Sequence, residues 1–327
     1  MKVGLTSTIP VEVLFAAGAV PVDLNNVFVA SPDAVKLLEV AERAGYPRNV
    51  CGWIKGIYGA VLREKDLRTV AAVTQGDCSN THALMETLEL EGIKIIPFAY
   101  PYDRERKLLA AQVECLMDHF GVGWDAVKRA KAALDAVRTK VREIDYLTYT
   151  GDRVTGEENH LYQVCCSDFD GNVEGYARKV EAFLREVEGR PSRPARIRLG
   201  YIGVPPIFTD LHAYIESCGA RVVYNETQRQ FAMPFDTPDL VEQYLLYTYP
   251  YGIFYRLRDI SREIDRRGIT GVIHYAQSFC FRQIEDIIIR RTLKIPVLTI
   301  EGDRPEPLDA RTKVRIDAFL EMLEGVG

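Results

Sequence analysis

The chain has 327 residues, a formal net charge of -5 and seven cysteines, and at roughly 100–200 residues per domain this length predicts about two domains. Hydrophobic residues make up 47% of the sequence and charged residues 27%, close to the globular average, which excludes a disordered, collagen-like or coiled-coil chain as a whole. Basic residues are scattered among acidic ones, so the sequence carries no electrostatic footprint for nucleic acid or an anionic membrane surface.

The N-terminus is apolar, but Glu12 and Asp23 interrupt it and the order of regions typical of a signal peptide is missing. No apolar run approaches the ~18–20 residues that a membrane-spanning helix needs. We therefore expect a cytoplasmic protein with no membrane partner. In a reducing compartment, an odd number of cysteines indicates metal ligands, catalytic thiols or core thiols rather than a disulfide framework.

Short β-branched runs alternate with helical patterns in the first half of the chain. Strands are predicted at residues 1–6, 69–74 and 93–98, and helices at 81–90, 104–120 and 124–144. After a helix at 172–187, the segment EGRPSRPA at 188–195 combines prolines, a glycine and charges, as a linker does. We place a domain boundary there, giving domains at residues 1–190 and 191–327.

The same alternation restarts after this linker. Strands are predicted at 196–202, 220–225, 270–277 and 295–301, and helices at 209–218, 238–267 and 282–292, with a final helix capped by Asp309. The prediction is an α/β protein with two doubly wound, parallel-sheet domains of the flavodoxin or Rossmann type. Neither half contains GxGxxG or a Walker A sequence, so dinucleotide and ATP binding have no motif support.

Three cysteines lie at the predicted starts of helices. Cys51 opens CGWIKGIYGAVL, Cys78 lies in the loop between a strand and the next helix, and Cys280 lies in a similar loop of the second domain. A helix N-terminus stabilises a thiolate, and three converging thiolates match a [4Fe–4S] cluster with one iron unligated by cysteine. The alternative is that each is a core thiol, because a free cysteine is usually buried.

The remaining cysteines fit a metal site less well. Cys115 lies on an amphipathic helix and Cys218 just before a helix-ending glycine, so both are predicted to be core thiols. Cys165 and Cys166 are adjacent, and adjacent side chains of a strand point to opposite faces, so at most one is expected as an extra ligand.

Polar residues flank the three cysteines. Ser79, Gln277 and Ser278 are candidates for contacting the open iron or a substrate carbonyl. The alternative for Ser79 or Asn80 is that it caps the following helix. Lys55, one turn after Cys51, is a candidate cation beside the cluster or else a solvated surface lysine.

Two histidines and an aromatic stretch have either a structural or a functional interpretation. His274 is expected to be a hydrogen-bonded core histidine, whereas His160, after the paired carboxylates of Glu157 and Glu158, is a weak candidate for a catalytic site. The aromatic stretch at residues 244–255 is expected either to contact a partner or pocket, or to form ordinary core.

At these residues the sequence resembles a known family, the iron–sulfur subunits of 2-hydroxyacyl-CoA dehydratases and benzoyl-CoA reductases. The matching segments, in the family's order, are IPVEVLFAAGAVP from residue 9, VCGWIKGIYG around Cys51, TQGDCSN around Cys78, HYAQSFC around Cys280, and IPVLTIEGDRPEPLDARTKVRIDAFLEML at 295–323.

The resemblance implies a [4Fe–4S] cluster in an interdomain cleft, ligated by Cys51, Cys78 and Cys280. It also implies a related subunit, in a homodimer or heterodimer, and a separate ATP-hydrolysing iron–sulfur activator that delivers a low-potential electron. In the dehydratases this electron reduces an acyl-CoA thioester to a ketyl radical anion, which makes elimination of the hydroxyl group possible. The expected protein is an oxygen-sensitive lyase component of anaerobic metabolism.

Two alternatives stay open. One is a reductase component, of the benzoyl-CoA reductase kind or with a double-cubane [8Fe–9S] cluster, although the absence of a cysteine between Cys51 and Cys78 favours a single cubane. The other is a non-catalytic α/β ligand-binding protein whose cysteines are structural.

Overall fold

The computed structural model describes residues 1–326 and divides the chain into two compact units. Unit 1 comprises Met1–Thr139, Cys165–Arg178 and Met233–Gly252, and unit 2 comprises Lys140–Val164, Lys179–Ala232 and Ile253–Gly327. Each unit is thus assembled from three segments of the chain. The division into domains at residues 190 and 191 stays a prediction.

Unit 1 contains a four-stranded sheet in which every pair of neighbouring strands is parallel. Its strands are β1 (Lys2–Leu5), β2 (Val20–Asp23), β3 (Thr69–Gln75) and β4 (Lys94–Ala99), in the spatial order β2-β1-β3-β4. Strand β3 lies inside the sheet, and its first five residues are buried. This agrees with its apolar sequence, because a parallel strand covered by helices on both faces is apolar almost throughout.

Unit 2 repeats this plan with a second parallel four-stranded sheet. Its strands are β5 (Ile197–Gly203), β6 (Ala220–Asn225), β7 (Gly271–Gln277) and β8 (Val297–Gly302), in the order β6-β5-β7-β8. Every residue of β6 and β7 is buried. The predicted α/β class with two doubly wound parallel sheets is confirmed.

Helices connect the strands and cover the sheets. They are α1 (Val11–Ala16), α2 (Leu24–Val29), α3 (Ala34–Arg43), α4 (Gly52–Arg63), α5 (Thr81–Leu90), α6 (Arg106–Phe120), α7 (Trp124–Tyr149), α8 (Gly156–Val164), α9 (Val173–Glu188), α10 (Leu211–Ser217), α11 (Glu226–Phe231), α12 (Leu240–Leu246), α13 (Ile253–Arg267), α14 (Asp286–Thr292) and α15 (Ala310–Val326). Short 3₁₀ turns lie at Cys165–Ser167, Phe169–Gly171 and Phe281–Glu285.

The structure differs from the prediction at two places. Strand β2 was not predicted, because it has four residues, includes Pro21 and gains its order from pairing with β1. The long helical region expected at 238–267 is divided into two helices: α12 ends at Leu246 and α13 begins at Ile253, with a turn containing Pro250 and Gly252 between them.

The C-terminal helix follows its prediction. The Asp309 carboxylate accepts a hydrogen bond from the backbone N–H of Thr312 at 2.7 Å, which caps the first turn of α15. Ile316 and Leu320 on this helix are buried, as the apolar spacing predicts. None of the helices in residues 1–326 has the length and hydropathy required to cross a membrane.

Candidate functional site

Both sheets have a topological switch point, where the chain leaves the first strand to one side and later returns on the other. In unit 1 this point lies between β1 and β3, and in unit 2 between β5 and β7. Open α/β sheets bind ligands in the crevice at this point, beyond the carboxyl ends of the strands. Cys78 follows β3 and Cys280 follows β7, so each lies at the switch point of its own sheet.

Cys51 and Cys78 pack against the same hydrophobic cluster of unit 1. Cys51 is buried in a hydrophobic cluster of this unit, and Cys78 is partly buried and packs against the same cluster. Cys51 is the residue before α4, and its carbonyl accepts a hydrogen bond from the N–H of Lys55 at 3.2 Å. The Cys78 carbonyl accepts one from Thr81 N–H at 3.1 Å, at the start of α5. Each cysteine therefore precedes a helix, as predicted.

The loop that carries Cys78 is held by a segment distant in sequence. Gly76 has φ +96°, and a Cβ atom added there would lie 2.8 Å from Cβ of Pro250. The hydroxyl of Tyr249 donates to Asp77 Oδ1 at 3.0 Å. The turn between α12 and α13 thus covers the loop beside Cys78, and glycine at position 76 is required both by conformation and by space.

Most of the aromatic stretch is ordinary core. Tyr244, Tyr247 and Tyr251 are almost fully buried, and the Tyr244 hydroxyl donates to the carbonyl of Ile9 at 2.9 Å. For these tyrosines the prediction of a core role is confirmed. Phe254, at the start of α13, is 64% exposed.

Lys55 is buried, so the alternative of a solvated surface lysine is wrong. Its side chain is 3% exposed, and Nζ lies 2.9 Å from Glu42 Oε1 and 3.2 Å from the carbonyl of Arg48. The ion pair joins α4 to α3 just after Cys51. A cation one turn from Cys51 is present, and its role toward a cluster stays a prediction.

Several buried polar atoms of unit 1 have no hydrogen-bond partner among the residues that the structure describes. They are Oγ1 of Thr8, in the loop after β1, Oγ1 of Thr81, at the start of α5, and Nε1 of Trp53, two residues after Cys51. Thr8 and Thr81 are 3% and 0% exposed. Sequence reasoning missed all three, although Thr8 could have been found as a polar residue in the other loop of the switch point.

These atoms fit an iron–sulfur cluster chemically. Buried O–H and N–H donors left unpaired are costly and call for a ligand or ordered water. The inorganic sulfides and thiolates of a cluster accept hydrogen bonds.

Asn80, the residue before α5, makes no side-chain capping bond, so the prediction that Asn80 caps this helix is wrong. Ser79 is exposed beside Cys78.

In unit 2, Cys280 lies in a tight turn. Its N–H donates to the carbonyl of Gln277 at 3.1 Å, and its own carbonyl accepts from the N–H of Gln283 at 3.1 Å. The 3₁₀ turn Phe281–Glu285 follows and leads directly into α14. The expected helix after Cys280 therefore starts with a 3₁₀ turn.

Gln277 and Ser278 are buried and hydrogen-bonded in unit 2. Oε1 of Gln277 accepts from the Tyr275 hydroxyl at 2.6 Å, which leaves the amide N–H₂ pointing toward the carbonyl of Asp303 at 3.4 Å. The Ser278 hydroxyl donates to Glu301 Oε1 at 2.8 Å. Both side chains are oriented by neighbours, and their contact with an open iron or a substrate stays a prediction.

Within residues 1–326 no group of three or more His, Cys, Asp or Glu side chains is arranged to hold a metal ion. The structure thus places two of the three predicted ligands, Cys51 and Cys78, against one hydrophobic cluster of unit 1, and Cys280 in unit 2.

The family comparison is decisive. The 2-hydroxyglutaryl-CoA dehydratase D-component family matches residues 6–323. The chain belongs to this family. It is therefore a component of the 2-hydroxyacyl-CoA dehydratase type, and the resemblance predicted from the cysteine motifs is confirmed. No match was found among proteins of curated function.

Two other cysteines of this dehydratase-family chain were predicted to be core thiols. For Cys115 this is wrong, because Cys115 is exposed on α6, whose buried face is formed by Leu109, Val113 and Leu116. Cys218 is partly buried, with Sγ 3.7 Å from Asp317 Oδ1.

Cys165 and Cys166 lie in a 3₁₀ turn, not in a strand. Cys166 is buried, with Sγ 4.0 Å from the Tyr176 hydroxyl, and Cys165 is partly buried. Just after them, burial and the neighbouring Asp23 raise the pKa of Asp168 to about 7. This segment of unit 1 is held at β2, since Asp23 N–H donates to Asp168 Oδ2 at 2.7 Å.

The histidines of unit 2 are structural. Nδ1 of His274 lies 2.8 Å from Asp286 Oδ1, and burial lowers the His274 pKa, which confirms the core prediction. The rings of His160 and His212 pack at a tilt of 32° with centroids 4.9 Å apart, and burial lowers the pKa of both. Glu158 accepts from Thr155 N–H at 2.9 Å in a capping box at the start of α8, so it is a helix-start residue.

Proposed function

We propose that the chain is the [4Fe–4S] subunit of a 2-hydroxyacyl-CoA dehydratase. The observation that carries this proposal is the position of Cys51 and Cys78 against one buried cluster of unit 1, in a chain that belongs to the dehydratase D-component family. The two thiols precede α4 and α5, whose N-terminal ends favour the negative charge of thiolates.

The proposed ligands are Cys51, Cys78 and Cys280, so one iron has no cysteine ligand. The donors of Trp53 and Thr81 are the side chains of unit 1 that would bond to the sulfurs, because each is buried and lies within three residues of a ligand cysteine. Hydrogen bonds to the sulfurs are one of the factors that set the reduction potential of a cluster.

When bound, the cluster supplies one electron at low potential for reduction of an acyl-CoA thioester. The protein's part is to orient the substrate and exclude water. Gln277 would donate an amide N–H to the thioester carbonyl, since Tyr275 already holds its Oε1. Ser278 and the exposed Ser79 are the further candidates for contact with substrate or with the open iron. Lys55 adds a buried cation one turn after Cys51.

The proposed partners follow from the family. They are a related subunit, in a homodimer or heterodimer, a separate ATP-hydrolysing iron–sulfur activator, and an acyl-CoA substrate. A separate activator agrees with the lack of a Walker A sequence in this chain.

Anaerobic purification and reconstitution, followed by iron and sulfide analysis, tests the proposal. We expect about four irons per chain, as in one cubane. Replacement of Cys51, Cys78 or Cys280 by serine should each remove most of the iron. The matched control is Cys115→Ser, because Cys115 is exposed on α6 and should not affect the iron content.

Other results would replace this function with one of its alternatives. About eight irons per chain would indicate a double-cubane [8Fe–9S] cluster and a reductase component. No iron after reconstitution, in a protein that is folded by circular dichroism, would contradict both cluster functions and favour a non-catalytic ligand-binding role.

A further inference from the structure

A buried ion pair of unit 2 lies at the switch point that carries Cys280. Arg256 on α13 binds Glu226 at the start of α11 through two contacts, Nε to Oε1 at 2.7 Å and Nη2 to Oε2 at 3.1 Å. The two side chains are 1% and 3% exposed. A paired arrangement of this kind holds both groups in one orientation, because a buried charge that loses its partner is strongly unfavourable.

The pair fixes the loop that follows β5. Glu226 Oε2 accepts a hydrogen bond from Gly203 N–H at 2.8 Å, and the hydroxyl of Thr227 donates to the Gly203 carbonyl at 2.6 Å. Gly203 has φ +103°, and a Cβ atom there would lie 2.3 Å from the carbonyl oxygen of Tyr275. The ends of β5 and β7 are therefore in close contact, and Glu226 holds one of them.

The same arginine fixes the turn that follows β7. Nη1 of Arg256 donates to Glu285 Oε2, and Glu285 Oε1 lies 3.6 Å from Nη1 of Arg282. Glu285 ends the 3₁₀ turn that starts one residue after Cys280. Arg256 thus connects the two loops of the switch point, one through Glu226 and the other directly through Glu285.

The turn needs such a restraint because its backbone is strained. Phe279, the residue before Cys280, has φ +63° and a side chain that is 54% exposed. A bulky residue in the left-handed region is unfavourable, and the exposed ring gains little from packing. Contacts outside residues 277–280 must therefore keep the turn closed.

We propose that Arg256 and Glu226 are positioning residues for Cys280, holding its turn in the conformation in which the thiolate binds iron. This inference rests on the proposed ligand role of Cys280. The pair acts through Glu285 and does not itself touch the metal site.

Hydrogen exchange of the apo chain, followed by mass spectrometry of the peptide spanning residues 278–286, tests the positioning without any cluster. In Glu285→Ala, which leaves the Arg256 and Glu226 pair intact, we expect the amides of Cys280 and Gln283 to exchange about tenfold faster or more, because a charge-assisted bond to the turn is lost. Arg256→Lys should have the same effect, since lysine cannot make the bidentate contact and reach Glu285 together. Glu285→Gln should restore part of the protection.

The matched control is Asp259→Asn, on the same helix α13. Asp259 forms a buried ion pair with Arg229 at 2.7 Å, and this substitution weakens that pair. Asp259 is not hydrogen-bonded to Glu285, so the contacts of the Cys280 turn are left intact. We expect this variant to lose stability while peptide 278–286 exchanges as in the wild type. If Arg256→Lys does not fold, Glu285→Ala carries the test alone. Equal exchange in Glu285→Ala and the wild type, or equal acceleration in Asp259→Asn, would overturn the proposal.

Reconstitution separates this inference from the proposed function. In Glu285→Ala we expect a lower iron content than in Asp259→Asn. If Cys280→Ser retains full iron, the ligand role of Cys280 fails, while the exchange data still decide whether Arg256 restrains the turn.

Discussion

The paired histidines of unit 2 make its stability depend on pH. His212 is 5% exposed, so burial favours the neutral imidazole, although its Nε2–H donates to Asn225 Oδ1 at 3.1 Å. Burial lowers the His212 pKa from 6.5 to about 4, against the opposing effect of the Asn225 hydrogen bond. The unfolded chain therefore binds more protons than the folded chain between about pH 4 and 6.5, and the free energy of unfolding decreases as the pH is lowered through this range.

The magnitude follows from these two pKa values. The pKa of His212 is 6.5 in the unfolded chain and about 4 in the folded chain. Protonation of this one group therefore lowers the free energy of unfolding by about 2 kcal/mol between pH 7.5 and 5, and by about 3 kcal/mol when the pH reaches the pKa of the folded state. His160 adds to this loss in the same direction, because burial and the neighbouring His212 lower its pKa as well.

Hydrogen exchange of the β6 amides, corrected for intrinsic exchange rates, measures the opening free energy of unit 2 at the two pH values. In His212→Gln, whose amide can still donate to Asn225, the fall between pH 7.5 and 5 should be about 2 kcal/mol smaller than in the wild type. His82→Gln, at an exposed position of α5 in unit 1, is the control and should keep the wild-type difference. An unchanged pH difference in His212→Gln would refute the reasoning.

Three further predictions concern unit 1. The pKa of Asp168 is raised to about 7, so the folded chain binds this proton more tightly and loses stability as the pH rises from about 4 to 7. In Asp168→Asn this loss should be smaller than in the wild type, as measured by urea titrations at several pH values. Gly76→Ala should destabilise by more than about 1 kcal/mol, seen as a lower urea midpoint, since φ is +96° and the added Cβ has no room. Arg138→Met should cost about 3–5 kcal/mol, because Glu12, 2.7 Å away and 0% exposed, would keep an unpaired charge; the double variant with Glu12→Gln should recover part of the loss.

The elements that the sequence predicts are those with local signals. The strands other than β2 are short apolar runs between turn residues, and α5, α6 and α9 show helical periodicity. Position relative to these elements was sufficient to select Cys78 and Cys280, because a residue that follows a parallel strand must lie at the carboxyl edge of its sheet. Cys51 was selected by its place at the start of a predicted helix, where a thiolate is stabilised.

The remaining errors arise where a property depends on tertiary packing. Cys115 was predicted to be a core thiol because free cysteines are usually buried, but on α6 it lies off the face formed by Leu109, Val113 and Leu116 and is exposed. The burial of Lys55 depends on Glu42, thirteen residues earlier on another helix. The close approach of Pro250 to Gly76 joins segments far apart in sequence, and the sequence around either residue does not predict it.

Helix α13 shows most clearly why the charges of the switch point could not be predicted from the sequence. Its sequence, IFYRLRDISREIDRR, is rich in arginine, and by composition it belongs on the surface. In the structure Arg256 and Arg267 are buried, and each is paired with carboxylates contributed by other segments.

The buried pairs of Arg256 and Arg267 nevertheless differ in what they can do. Arg267 binds Asp145 on α7, Glu263 on α13 itself and the carbonyl of Val223 within β6, so its contacts hold helices and a strand rather than the loops of the switch point. Arg256 instead reaches both loops at the end of the sheet. A buried ion pair is weak evidence for stability, since well-packed apolar residues often serve as well. The retention of a charge at position 256 is therefore better explained by the geometry it gives the Cys280 turn, and Arg256→Met combined with Glu226→Gln and Glu285→Gln should leave a folded unit 2 whose Cys280 turn exchanges rapidly.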